Sequence, residues 1–239
     1  MELTGDLAHE ELARALPERP LRSYPALLST EADAQAWARA GAPEGAVVVA
    51  DYQVSPRGRA GWSWEVAPGV GLGFALVLRP GWPVEREGWA YAVAVSGVAD
   101  AAGDGAEIEW PDQVRRDGAA AGAVGVTAEL GPDGVVWAVV NLVVPGTPPP
   151  RAPVLAQVVG AVEARYRQDP EAVLADLRPR CATLGRRVRA RLIPVGPAGP
   201  RIEGRAADVL ADGALVVETE RGSRVAVRPQ NLGVLEDAP

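Results

Sequence analysis

The side chains that carry most enzyme chemistry are scarce in this chain. Its 239 residues include one histidine, His9, and one cysteine, Cys181. A Ser-His-Asp triad or a histidine-built metal centre cannot be assembled from one histidine near the N-terminus, so no metal ligands are expected. All 24 residues counted as Lys or Arg are arginine. An arginine-favouring codon bias accounts for that in general, but it excludes any mechanism needing a lysine of this chain, because the two cations differ chemically. The remaining candidates are polar or aromatic residues at the ends of elements and in one loop. Each has a plain structural reading. Ser29 or Thr30 caps a helix, Gln53 ends a strand, and Arg57 and Arg59 are solvated cations. Trp110-Pro111 is a packing and turn element, and Asn141 satisfies backbone groups within a sheet. Cys181 reads as buried packing and His9 as solvated.

The elements that must position these residues follow from periodicity and turn chemistry. The spacing predicts a helix over residues 31–41, ended by Gly41, and a buried strand over 46–50. A polar loop then leads to a strand over 71–78. Small apolar residues over 89–102 predict a buried helix. Strands are expected at 106–110, 121–129 and 134–144, the last two joined by the Pro132-Asp133-Gly134 turn. Residues 145–153 read as a proline-rich linker, and 154–178 as a helix pair broken near Asp169-Pro170. Past Leu184 come short strands at 187–192, 204–210, 214–220 and 223–227, with glycine turns between them. That pattern predicts a small SH3-like β-barrel. The fold class is therefore α+β, a mixed sheet with helices followed by the barrel. The expected division is residues 1–182 and 183–239.

Composition narrows the function classes. A net charge of −7 argues against broad nucleic-acid binding, which draws on an excess of cations. No stretch approaches the roughly 20 apolar residues of a membrane span. The first residues lack a cationic run before an apolar one, so no signal peptide is read. With a single cysteine there is no internal disulfide, and a cytoplasmic location is expected.

Three stretches, in order and spacing, resemble the biotin–protein ligase family. Ser29-Thr30-Glu31, followed by GAPEGAVVVADYQ at 41–53, is similar to the family's Ser-Thr-Asn, helix, and strand ending in Gln. PRGRAGWSW at 56–64 is similar to GRGRxGRxW. IEWPDQV at 108–114, with Gly118 and Gly122 after it, is similar to KWPND. The region beyond the helix pair is similar to the family's C-terminal barrel. The resemblance covers residues from about 25 to 235 and includes no N-terminal winged helix, so no repressor role carries over. It implies that ATP, with Mg2+, and biotin are the ligands, that biotinyl-adenylate forms, and that biotin passes to a lysine of a carrier domain. It also allows a homodimer. By matching position, Ser29, Thr30 and Gln53 would read the ureido ring. Arg57, Gly58 and Arg59 would hold phosphates, and Trp64, Trp110, Gly122 and Asn141 would complete the site.

Departures from the pattern matter as much. Pro56 removes a loop N–H donor, and Trp62 stands where an arginine is usual. Glu109 reverses the charge of the lysine before Trp110, and Asp112-Gln113 replace Asn-Asp. A second family lysine falls at Ala119. Codon bias would exchange lysine for arginine, so it explains neither. Trp137 and Val139 replace glycines before Asn141 and are expected to fill part of the pocket. No catalytic residue is assigned; Arg57, Arg115 and Arg116 stand as candidates for the missing cation. Two readings follow: a biotin ligase with impaired or altered turnover, and an inactive module that binds biotin, a related molecule or a carrier domain. A lipoate-type ligase is a weaker third.

Overall fold

The apolar runs become strands of one large sheet because each buries a face against helices packed on both sides of it. In a computed structural model describing residues 5–196 and 199–238, the chain runs through α1 (His9–Ala15), β1 (Leu21–Leu27), α2 (Thr30–Arg39), β2 (Val47–Gln53), β3 (Leu72–Leu78), α3 (Trp89–Ala102), β4 (Ala106–Glu109), β5 (Gln113–Arg116), β6 (Ala119–Gly131) and β7 (Gly134–Val144). Next come α4 (Ala152–Tyr166) and α5 (Pro170–Arg180), then β8 (Arg187–Leu192), β9 (Arg201–Val209), β10 (Leu215–Glu218), β11 (Arg224–Val227) and β12 (Leu232–Asp237). The first seven strands form a sheet ordered β1-β2-β3-β7-β6-β5-β4. β1 and β2 are parallel, and the other pairs are antiparallel.

Alternation along the strands separates two layers. Leu72, Phe74, Leu76 and Leu78 of β3 join Val140 and Leu142 of β7 in a core with α3 and α4. The opposite face carries Ala75 and Val77 of β3 with Trp137 and Val139 of β7, packed on Ala34 and Ala38 of α2. Trp137 and Val139 therefore fill the layer between α2 and the sheet, and the Arg39 guanidinium lies 5.5 Å from the Trp137 ring. No helix is long and apolar enough to cross a membrane among the described residues.

The helix pair breaks where proline and its Asp169 cap require it, the Asp169 side chain accepting the Glu171 N–H at 2.9 Å. The 145–153 segment is shorter as a linker than its composition implies, since α4 starts at Ala152. Four elements have no counterpart in the periodicity reading: α1, β1, β5 and β12. β1 carries Pro25 and has no fully buried residue, so it lacks the apolar run of a central strand.

β8–β12 form a second, five-stranded antiparallel sheet ordered β11-β10-β9-β8-β12. The second sheet expected past Leu184 is present, and its ladder is not closed into a barrel among the described residues. Among the described residues β11 pairs with β10 alone, and β12 pairs with β8 at the far edge. Trp110 ties the two sheets together: its indole N–H donates to the Gly213 carbonyl at 3.0 Å, and its backbone N–H donates to Thr183 Oγ1 at 2.9 Å. Trp110 is thus a buried link between the sheets, in keeping with its plain reading. His9 is exposed, and Cys181 is buried, which pushes its thiol pKa up.

Candidate functional site

The site begins with a helix that is capped from outside itself. Ser29 is the residue before α2, yet its side chain makes no capping bond. Gln53, at the end of β2, does that work: its Oε1 accepts the Thr30 N–H at 2.8 Å, one of the free donors of a helix N-terminus. Ser29 Oγ is left buried without a partner among the described residues. Such an atom is costly unless a further group meets it. The Thr30 hydroxyl lies 3.1 Å from both Gln53 Oε1 and Asn141 Oδ1. Having one proton, it donates to one of them, and Asn141 is the acceptor not already engaged by the Thr30 N–H. Thr30, Gln53 and Asn141 are all nearly inaccessible to water. Sequence reasoning placed these residues on three separate elements, and the fold joins them.

Asn141 stands in the middle of the sheet, in register with Ala75 of β3 and Gly125 of β6. Its Nδ2 donates to the Arg57 carbonyl at 2.7 Å. The loop after β2 is thereby seated on the sheet. A Cβ at Gly125 would lie 3.3 Å from Gly58 Cα, so a larger residue there would lift the loop. Gly58 is itself overlaid by the Trp64 indole. Gly73 carries the Gln53 amide: a Cβ there would fall 2.3 Å from Gln53 Nε2.

The two loop arginines have different fates. Arg57 is exposed and donates to the Gly61 carbonyl at 2.9 Å. Arg59 turns inward, pairs with Asp112 at 2.9 Å, and donates to the carbonyls of Leu232 and Gly233 on β12. Burial pushes the Asp112 carboxyl above its ordinary pKa, with Arg59 opposing the shift. Trp62 stays at the loop tip, and its indole N–H reaches the Gly233 carbonyl at 3.3 Å. It does not fill space beside Gln53. Arg59, Trp62 and Asp112 line a cleft of about 540 Å³ between the two sheets, together with Trp64, Trp110 and Arg186; Arg57 does not.

Other sequence candidates lie elsewhere. Arg115 donates to the Gly118 carbonyl, and Arg116 donates to the Ala102 carbonyl at 2.6 Å. Both are engaged by backbone carbonyls, and Ala119 is exposed beside them. Gly122 faces α3, where an added Cβ would lie 2.5 Å from Val98 Cγ1. The role of Asp112 as partner of Arg59 had one signal in the sequence, a carboxylate shifted by one position in the Trp-Pro stretch.

The arrangement offers a buried polar cluster with an unmet hydroxyl, a loop anchored to it through Asn141, and a buried guanidinium at a cleft between the two sheets. Over 225 residues the chain is 30% identical to the biotin–[acetyl-CoA-carboxylase] ligase of Mycobacterium tuberculosis, covering 83% of this chain and 82% of that relative. It is 35% identical over 108 residues to the bifunctional ligase/repressor BirA of Bacillus subtilis. That match spans 44% of this chain and only 33% of the Bacillus protein. Among solved structures, the fold is similar to the Aquifex aeolicus biotin protein ligase in complex with biotin and ATP. The TM-score is 0.70 at 18% identity, covering 92% of this chain and all of the other. No family model matches the chain.

Proposed function

The chain belongs to the biotin–protein ligase family, and from that premise we propose that it joins biotin to ATP and passes the biotinyl group to a lysine of a carrier domain. In this reading residues 1–182 form the catalytic unit, and 183–239 form an SH3-like unit that closes the cleft. The observation that carries the reading is the buried Ser29 hydroxyl, without a partner among the described residues, one position before Thr30, whose N–H the Gln53 amide oxygen accepts. A ureido ring presents N–H donors and a carbonyl acceptor, and a hydroxyl with an amide N–H can meet both kinds.

The chemistry balances in two steps. A carboxylate oxygen of biotin bonds to the α-phosphorus of ATP, and pyrophosphate leaves. The carrier amine then bonds to the acyl carbon, AMP leaves, and the amine loses a proton. The first step brings a carboxylate against a polyphosphate, so it needs cations placed where charge accumulates. Arg59 is the buried guanidinium facing the cleft from the loop. Its fork suits phosphate oxygens, provided that Asp112 yields it. Mg2+ would enter with the triphosphate as its counter-ion. Glu109 and Ala119 leave no second cation at the matching positions, and turnover is proposed to be slow for that reason.

The engagement of Arg115 and Arg116 by backbone carbonyls favours the second reading, a module that binds biotin without activating it. One assay separates the two. The protein is incubated with ATP, biotin and a biotin carrier domain, while pyrophosphate release and carrier labelling are followed. Slow labelling supports the ligase. Calorimetric biotin binding without pyrophosphate supports the module. Absence of both rejects each.

Gly73 provides a sharper check on the pocket. Gly73→Ala places a methyl against the Gln53 amide and forces it off Thr30. The expected result is a loss of biotin affinity of about tenfold or more. A loss of about 1 kcal/mol in unfolding free energy accompanies it, the usual cost of removing a helix cap. Calorimetric titration and urea unfolding read the two effects separately.

A further inference from the structure

Arg151, at the start of α4, is almost completely buried and has no part in the site as described. Its Nη1 donates to Asp51 Oδ1 at 2.6 Å and to the Gly71 carbonyl at 3.1 Å. Its Nε and Nη2 donate to Asp6, at 3.0 and 2.8 Å, and its backbone N–H donates to Asp6 Oδ2 at 2.6 Å. The hydrogen bond from Arg151 holds the Asp6 carboxyl below its usual range.

Asp51 and Gly71 are the two stems of the loop that carries Arg57, Gly58, Arg59 and Trp64. Backbone pairing between the stems stops short. The last β2–β3 pair is Ala50 with Gly73, although β2 runs on to Gln53. Asp51 Oδ1 also accepts the Gly69 N–H at 3.4 Å. The guanidinium therefore takes over where the ladder ends and fixes the spacing of the stems.

We propose that Arg151 is a positioning residue for the ligand loop, locking its stems through Asp51 and Gly71 and so setting where Gln53 and Arg59 meet the ligand. The proposal rests on reading the loop as the ligand loop. A rigid guanidinium suits the task, because its planar donors fix two acceptors at once. Asp6 contributes differently: it balances charge from the N-terminal segment and does not touch the stems.

The two carboxylates allow a controlled comparison. Asp51→Asn and Asp6→Asn each remove one negative charge from the same guanidinium, but only the first loosens the stems. Two measurements are made below the melting temperature of both variants: the rate of tryptic cleavage after Arg57, with no ligand, and biotin affinity by calorimetry. The expected result is about a tenfold rise in cleavage rate and a tenfold loss of affinity for Asp51→Asn. Asp6→Asn should stay within twofold of the parent in both. Equal effects of the two variants on cleavage, or no effect of Asp51→Asn, would overturn the proposal. If the parent binds no biotin, the family reading of the pocket fails, and the cleavage rates still decide the role of Arg151.

Discussion

Arg59→Ala is expected to lower the rate of pyrophosphate release by about 10²–10³, the usual loss when one charge-stabilising donor is removed from a water-poor site. The same substitution should destabilise the fold. Arg59 and Asp112 are both largely buried, and removing one member of a buried pair leaves the other uncompensated, at a cost of about 3–5 kcal/mol. The carbonyls of Leu232 and Gly233 lose their donor as well, which loosens β12 from the loop.

The destabilisation has a defined pH dependence. Burial already raises the Asp112 pKa in the folded protein, and Arg59 is the group that lowers it. Without Arg59 the folded value climbs further above that of the unfolded chain. A carboxyl of this kind holds its proton more tightly when folded. The stability it contributes is complete below the unfolded value and is lost as pH rises through the folded one. The deficit of Arg59→Ala should thus be small near pH 4 and grow toward pH 7. Adding Asp112→Asn should recover part of the loss and flatten the curve. Urea unfolding across that range measures it, and a deficit that ignores both pH and Asp112 would show that the pair is not the cause.

The second large effect belongs to Asn141. Its amide uses both ends, accepting from Thr30 and donating to the Arg57 carbonyl. In Asn141→Ala the Thr30 hydroxyl can turn to Gln53 Oε1, 3.1 Å away, but the Arg57 carbonyl loses its donor, at a cost of about 1–3 kcal/mol. Asn141→Asp separates the two roles. The carboxylate still accepts from Thr30, but it has no proton for Arg57 and places two acceptors face to face. It should therefore release the loop while keeping α2 in place. The expected signature is biotin affinity reduced by about 10²-fold in both variants, with the tryptic bond after Arg57 exposed in both. Affinity retained by Asn141→Asp would mean that the loop does not depend on this anchor.

Much of the framework was legible along the chain. The breaks at Gly41, Pro132-Gly134 and Asp169-Pro170 are local chemistry, since φ restrictions and missing donors act on the residue that carries them. The apolar runs of β2, β3 and β7 and the small-residue helix α3 follow from burial on both faces. β1 and β12 escaped because they are edge strands, half-covered and without a full apolar run. Closure of the second sheet was also beyond periodicity, which tells how each strand faces but not which edge it pairs with.

The site divides the same way. Residue types and order determined the family, the absence of a lysine, and the chemical limits that follow from it, because charge and proton inventory belong to side chains wherever they lie. Only the tertiary structure decided that Gln53 caps α2 in place of Ser29, that Arg59 is buried against Asp112 while Arg57 faces solvent, and that Trp137 and Val139 fill the layer under α2. Those outcomes depend on distances between residues 23 to more than 100 positions apart. Such distances are set by sheet register and by which polar atoms must find a partner once water is gone.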